Sequence, residues 1–350
     1  MSERSDGSSR TPRRRGPLTG AVAAAVAAVG WLLLTHHMWP RLPGNAVGFL
    51  ETFLPWLGLV VPAGLVGAAV RRSAVVAVAC VVVAAVWAVA FREVLPPRAA
   101  ASRDPCGLTV VQHNVSDENT SPSRVVRILL AADPDVVALE ELTPTSLPAY
   151  RLELGRTHPH HATVGTVGLW SAYPLTDIGR VDLRPRAVGT GWDRGLRAVV
   201  RGPRGDVATY VAHLPSVRIR PAQGYATGRR DESAALLGRA LEKERSRTVL
   251  VLGDLNGTVD DRGLAPVLSQ VRGNREEWAF SWPAGVPLAR IDHVLARGAE
   301  VTATWALPAT GSDHLPVAAH VRFPAPSETA VPISCLRVPP GGPAGRSHGG

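Results

Sequence analysis

TVLVLGDLNG, residues 248–257, decides how the rest of the chain is read. Thr248–Leu252 is a short β-branched and aliphatic run, which reads as a buried strand. It breaks into Gly-Asp-Leu-Asn-Gly, so the strand carries Asp254 and Asn256 to its end. Five other stretches repeat the pattern: VVQHNVS (110–116), PDVVALEEL (134–142), ATYVAHLPS (208–216), RIDHVL (290–295) and GSDHLPV (311–317). In layered α/β folds, chemistry is assembled from strand ends contributed by distant parts of the sequence. Among their residues Asn114, Glu141, His213, Asp254, Asn256, Asp292, Asp313 and His314 stand out as one Glu, three Asp, two Asn and two His. That set suits a hard divalent cation and a phosphate ester.

Working outward, strand-like runs are expected at Leu108–Val115, Asp135–Leu139, Ala162–Trp170 and Gly179–Leu183. Leu196–Gly202 and Asp206–His213 suggest a hairpin around GPRG, and three more strands fall at Arg290–Ala296, Glu300–Leu307 and Leu315–Phe323. Helical spacing marks Ser123–Ala132 and Arg230–Arg245. The expected fold is a four-layer α/β sandwich, two packed mixed sheets flanked by helices.

Composition changes sharply near residue 100. Leu18–Trp39, about Thr52–Val70 and Ser73–Phe91 are apolar, each near the ~20 residues that cross a ~30 Å hydrocarbon core. The expected organisation is a cytoplasmic tail (1–17), three transmembrane helices (18–91), a linker (92–105), a catalytic domain (106–324) and a Pro/Gly-rich tail (325–350). Arg10, Arg13, Arg14 and Arg15 precede the first span, and Arg71 and Arg72 separate the second and third. The positive-inside rule makes both groups cytoplasmic and places the domain outside the cell membrane. Arg92, Arg98 and Arg103 count against that orientation. The first span lacks a small-residue cleavage pattern and is expected to be retained. Glu51 is expected at the head of the second span, among lipid headgroups.

Before Asp104 there are 11 basic and 4 acidic residues, against 27 and 25 from there on. The overall charge of +9 is therefore chiefly a topology signal and weak evidence for nucleic-acid binding. Cys80 lies inside the third span, as a small packing residue. Cys106 and Cys335 flank the domain, and an external location permits a disulfide between them.

The clusters, taken in order, resemble the endonuclease/exonuclease/phosphatase superfamily over roughly Leu108–Arg322, with GDLN and SDHLP the most specific motifs. With three spans ahead of the domain, the chain is similar to the actinobacterial membrane proteins of that superfamily, including the teicoplanin-resistance type. The resemblance implies Mg²⁺, or Mn²⁺, held by Asn114, Glu141 and Asp313, with Glu140 in the place of a family glutamine. It implies that Asp254 orients or deprotonates the attacking water and that Asn256 bonds a phosphate oxygen. His213 and His314 would face the phosphate from opposite sides, with Asp292 fixing the His314 tautomer. Arg197 is a further candidate phosphate contact, and Ser171 and Tyr173 match a structural block. Leu255, His113 and Leu315 depart from the family pattern. Read without the resemblance, Asp-Asn-Gly is equally a turn, and a strand-end His is commonly structural.

Three function classes follow. The first is a phosphoesterase acting on a lipid-linked or cell-envelope phosphate, with the bilayer as its partner. The second is a tethered surface nuclease, for which Arg180–Arg204, with seven Arg, offers a local patch. The third is an inactive binding protein of the same fold.

Overall fold

The computed structural model describes residues 17–40, 43–94, 104–222, 224–275 and 277–324. They divide between two compact units, one drawn from Met1–Pro40 and Leu54–Arg92, the other from Arg41–Phe53 and Glu93–Gly350.

The first four helices are α1 (Pro17–Thr35), α2 (Ala46–Thr52), α3 (Val60–Arg71) and α4 (Ala74–Ala90). In the first unit, α1, α3 and α4 pack through small residues. A Cβ on Gly64 would meet Cys80 Sγ at 2.5 Å, and one on Gly30 would meet Val83 at 2.9 Å. Such close approach is how apolar helices associate without a hydrophobic driving force between them. Cys80 is a free, buried thiol at this contact, as expected of a packing residue.

Among the described residues, two helical stretches, Leu18–Met38 and Leu54–Arg71, are long and apolar enough to cross a membrane. The third expected span is a helix of 17 residues, about 26 Å long at 1.5 Å per residue. The second begins later than its sequence pattern suggests, because Ala46–Thr52 forms α2 of the other unit. Glu51 is accordingly not among headgroups. It is buried on α2, with Oε1 accepting from Arg262 Nη2 at 2.7 Å and Nε at 2.9 Å.

Among the described residues, the second unit contains thirteen strands. In chain order they begin β1 (Leu108–Asn114), β2 (Val136–Glu140), β3 (His160–Val164), β4 (Val167–Ser171), β5 (Leu175–Arg180), β6 (Gly195–Gly202) and β7 (Gly205–Ala212). They continue β8 (Arg218–Arg220), β9 (Gly224–Ala226), β10 (Val249–Asp254), β11 (Asp292–Arg297), β12 (Glu300–Ala306) and β13 (Val317–Arg322). One sheet runs β12-β13-β1-β2-β4-β3, a second β11-β10-β7-β6-β5, and β8 and β9 form a separate hairpin. The single strand expected over Ala162–Trp170 is instead the hairpin β3–β4, because Gly165 turns the chain at φ +55°.

Side-chain alternation builds the four layers. Leu108 and Val110 of β1 pack between the sheets with Leu250 and Leu252 of β10. Val111 and Val137 face outward to Val125 and Leu129 of α5 (Pro122–Leu130) and to Tyr150 and Leu154 of α6 (Leu147–Leu154). Val249 and Val251 face outward to Leu237 and Leu241 of α7 (Gly228–Lys243). The short α8 (Ala265–Leu268) joins that layer through Val267. Along α7, Ala234, Leu237 and Leu241 recur on one face at helical spacing. Each of the buried leucines contributes roughly 2 kcal/mol by leaving water. Cys106 is disulfide-bonded; Cys335, its expected partner, lies outside the described residues.

Candidate active site

The alternation that sends Leu250 and Leu252 between the sheets sends Asp254 there too, at the strand's end. Gln112 and Asn114 continue the inward set of β1, and Glu140 continues that of β2. Asp292 opens β11 directly across from Asp254 in the antiparallel pair. His213 follows β7 on the inward parity of Val207 and Val211. His314 comes from the loop before β13. Polar strand ends therefore converge at one end of the sandwich.

Glu141 arrives differently. Continued in extended form, β2 would turn it toward the helices α5 and α6. A left-handed backbone at φ +60° ends the strand instead. Its carboxylate lies 3.7 Å from His213 Nε2 and accepts from the Asp117 N–H at 3.3 Å. A non-glycine residue held at positive φ beside converging polar groups marks strain kept for use.

Asn256 also takes a positive φ, +49°. Asp254 and Asn256 thus form a turn at the strand's end. The Asn256 N–H donates to Asp254 Oδ1 at 2.9 Å, and its amide donates to the Leu214 carbonyl at 2.9 Å. Two glycines make the turn possible. Gly253 stands at φ +145° with a would-be Cβ 2.0 Å from the Ala212 oxygen, and a Cβ on Gly257 would sit 2.0 Å from Arg230 Nη1.

Asn114, Glu141, Asp254, Asn256, Asp313 and His314 all line one cavity of about 890 Å³. Asp292 and His213 are fully buried around it. Asp292 Oδ2 lies 2.8 Å from His314 Nδ1, and Gln112 donates to its Oδ1 at 2.7 Å. Asn114 donates to Asp254 Oδ2 at 3.2 Å, and both His213 Nε2 and His314 Nε2 stand 3.7 Å from that same oxygen.

The charges are set by these neighbours. Burial lowers the His314 pKa, but Asp292, Asp254 and the hydrogen bond to Asp292 outweigh it and carry the imidazole to about 10. Burial, with Arg194 and His314 nearby, drives His213 well below its ordinary value, so it is neutral at pH 7. Arg194 Nη1 stands 3.1 Å from His213 Nδ1 and 3.2 Å from Nε2. A guanidinium can only donate, so one ring nitrogen of His213 accepts from Arg194 and the other carries the imidazole proton. Burial pushes Asp254 up to about 7 against the pull of His314. Burial, then Asp292 and Asp254, raise Glu140 well above the carboxylate range. The shift favours the neutral form, which is what a glutamine there would present.

Asp254, Asp292 and His314 can each bring a ligating atom within 4.8 Å of the others. We read this trio as a charge unit, with His314 hydrogen-bonded to Asp292 and 3.7 Å from Asp254, because an imidazolium has no lone pair to give a cation. Asn114, Glu141 and Asp313 also line the cavity wall, and oxygen donors of this kind are what a hard cation takes.

A profile of the endonuclease/exonuclease/phosphatase family matches residues 111–314. The chain belongs to the endonuclease/exonuclease/phosphatase family. Membership makes it a metal-dependent hydrolase of phosphoester bonds. Solved structures share the fold. D. rerio TDP2 complexed with a single-strand DNA product is 17% identical (TM-score 0.50), over 62% of this chain and 99% of that one. The human Nocturnin catalytic domain is 14% identical (TM-score 0.50), over 64% and 97%. Sphingomyelinase C from Streptomyces griseocarneus is 19% identical (TM-score 0.47), over 61% and 99%. No curated protein sequence matches the chain.

Against this family frame, one expected site residue lies elsewhere. Arg197 alternates with the inward-facing Leu196 and Ala198, so it points to the helical face, where Nε donates to Glu244 at 2.6 Å. An arginine that does stand beside a site residue is Arg194, one residue before β6, next to His213 and with its guanidinium 5.2 Å from the Trp192 ring centroid. The outward parity of Arg197 was readable in the sequence; the position of Arg194 in a loop was not. Sequence reasoning also passed over Gln112, which shares the parity of Asn114, and Ser312. The Ser312 hydroxyl donates to the Asn114 carbonyl at 2.7 Å and accepts from the His314 N–H at 3.0 Å.

Arg230 was overlooked as well. It is buried, and it bonds Asp261 at 2.6 Å, Asp231 at 2.8 Å and the Asn256 carbonyl at 2.8 Å. Removing it strands the Asp261 carboxylate and frees the Asn256 turn. Arg230→Ala is expected to cost about 3–4 kcal/mol, measurable as a lower denaturant midpoint with an unchanged m-value. A loss below about 1 kcal/mol would refute the account.

Proposed function

We propose that the protein is a membrane-anchored, extracytoplasmic Mg²⁺-dependent phosphoesterase acting on a lipid-linked or cell-envelope phosphate, of the type that the teicoplanin-resistance membrane protein represents. The observation that carries the reaction is the convergence of Glu141, Asp254 and His314 on one cavity. Asn114, Glu141 and Asp313 would hold the cation, whose bound charge would polarise the phosphoryl group. Asp254, raised by burial into the neutral range, accepts a proton from the attacking water. His314, kept cationic by Asp292, meets the negative charge that builds on the phosphate. Neutral His213 donates a ring N–H hydrogen bond on the other side, toward the leaving oxygen. Asn256 has one amide hydrogen beyond its bond to Leu214 and turns it to a phosphate oxygen.

The apolar helices support a substrate confined to a membrane surface, where tethering raises its effective concentration. A nuclease is favoured by a neighbouring groove lined by Trp192, Arg194, Arg218, Arg220 and Arg229. Against it, Arg180, Arg186, Arg197 and Arg201 of the suggested patch are paired with carboxylates. Their charge is spent locally, which weakens the case for phosphate-backbone binding.

The test uses the purified full chain in detergent, offered polyprenyl diphosphate, sphingomyelin and plasmid DNA side by side. Turnover of the polyprenyl substrate is expected, falling by about 10³-fold or more after chelation and returning with Mg²⁺ or Mn²⁺. Cleavage of DNA in preference to lipid would replace this reading with the nuclease. No metal-dependent turnover of any substrate would favour a binding protein.

A further inference from the structure

The catalytic cavity has a second wall of different chemistry. Opposite Asn114, Glu141, Asp254 and His314 it is lined by Phe49 and Phe53 of the α2 segment, and by Val217, Ile219 and Tyr225 at the β8–β9 hairpin. The Phe49 and Phe53 rings lie 5.1 Å apart, and Tyr225 meets Phe49 edge-on at 5.5 Å. Phe49 remains 43% exposed and Ile219 73% exposed. Bulky apolar groups left open to water beside ionised ones indicate something else that covers them.

The α2 segment is fixed in place by polar contacts that have no other evident use. Besides the Glu51–Arg262 pair, Thr52 Oγ1 bonds the Tyr225 hydroxyl at 2.9 Å and Asn45 donates to Thr227 at 2.9 Å. Thr258 donates to the Glu51 carbonyl at 3.2 Å. A buried Glu–Arg pair is costly to form and costlier to break, so it serves position better than stability. Here it positions a two-phenylalanine face against the cavity. The same chain enters the apolar run Leu54–Arg71 directly after Phe53.

We propose that the α2 segment and the β8–β9 hairpin form a subsite for the hydrocarbon tail of the substrate, so that the enzyme selects amphiphilic phosphate esters of membrane lipids over soluble ones. This rests on the reading that phosphoesters are hydrolysed in this cavity. The phosphate is held at the carboxylate–histidine wall and the first carbons of its alcohol lie across Phe49, Phe53 and Ile219. Each methylene taken out of water there raises kcat/KM by about 4-fold.

The test uses the full chain in detergent with Mg²⁺ and p-nitrophenyl alkyl phosphates from methyl to hexyl, which share one reacting centre. From methyl to hexyl, kcat/KM is expected to rise by about 10³-fold if all five added methylenes are buried and by about 30-fold if half of them are. Phe49→Ala should collapse the hexyl-to-methyl ratio to within about 3-fold. Ile219→Ser, at an exposed position, serves the same purpose should the first variant fold poorly. A ratio near one in the wild-type enzyme overturns the subsite, as does a Phe49→Ala loss equal for all chain lengths, which would mean a structural role. Calorimetric binding of methyl and hexyl phosphate separates the two readings. If no ester is hydrolysed but hexyl phosphate binds more tightly in a Phe49-dependent way, hydrolysis fails and the subsite stands. Equal binding of the two sinks the subsite whatever the turnover.

Discussion

Asp254→Asn is expected to lower kcat by about 10⁴-fold, with little change in KM. The substitution keeps an oxygen for the Asn256 N–H, so the turn that presents Asn256 survives. It removes the one carboxylate that stands 3.7 Å from both histidines and accepts from Asn114. What is lost is a proton acceptor, and an amide cannot replace it. The folded state should not suffer. Asp254 sits directly across from Asp292 in the β10–β11 pair, and both are fully buried. Two like charges in that arrangement oppose folding, so the melting temperature of the variant should match or exceed that of the wild type. A variant that retains a tenth of the activity, or one that is inactive because it is unfolded, would contradict this role.

His314→Gln should cost about 10³-fold in kcat, because a neutral amide cannot counter the charge that develops on phosphate. Asp292→Asn provides the sharper readout. With Asp292 ionised, the His314 pKa stands at about 10. The imidazolium is present below that pH and lost above it, so the alkaline limb of the wild-type rate should lie far to the alkaline side, while the acid limb reports Asp254, whose pKa stands at about 7. Withdrawing the Asp292 charge lowers the His314 pKa and brings the alkaline limb to lower pH. The kcat–pH profile of the variant tests this directly. An unmoved limb together with reduced activity would show that Asp292 acts through packing and not through charge.

Much of this site could be read from the sequence because strands expose their ends in a regular way. Asn114, Asp254 and Asp292 all lie on the inward parity of runs whose apolar members are plain in the sequence. The four-layer sandwich follows from the same alternation, with α7 and α5 covering the outward residues. Glu141 was found through the family pattern, since its position depends on a backbone angle that periodicity does not encode. Arg197 went astray because a strand arginine was taken as a site residue without asking which face it occupied. Arg194 and Ser312 lie in loops, where no period assigns a direction. The hairpin β3–β4 was read as one strand because Gly165 was not recognised as a turn. The α2 segment was hidden by composition, as its apolar residues run without a break into the helix that follows and look like part of it.

That segment changes what the N-terminal third of the chain is for. A fragment starting at Asp104 would keep Asn114, Glu141, His213, Asp254, Asp292 and His314, and every group that handles the phosphate. It would lack Phe49, Glu51 and Phe53, leaving Arg262 without its carboxylate and Tyr225 without its ring partner. Cutting away the N-terminal third to obtain a tractable enzyme would thus remove one wall of the cavity that Asp254 and His314 line.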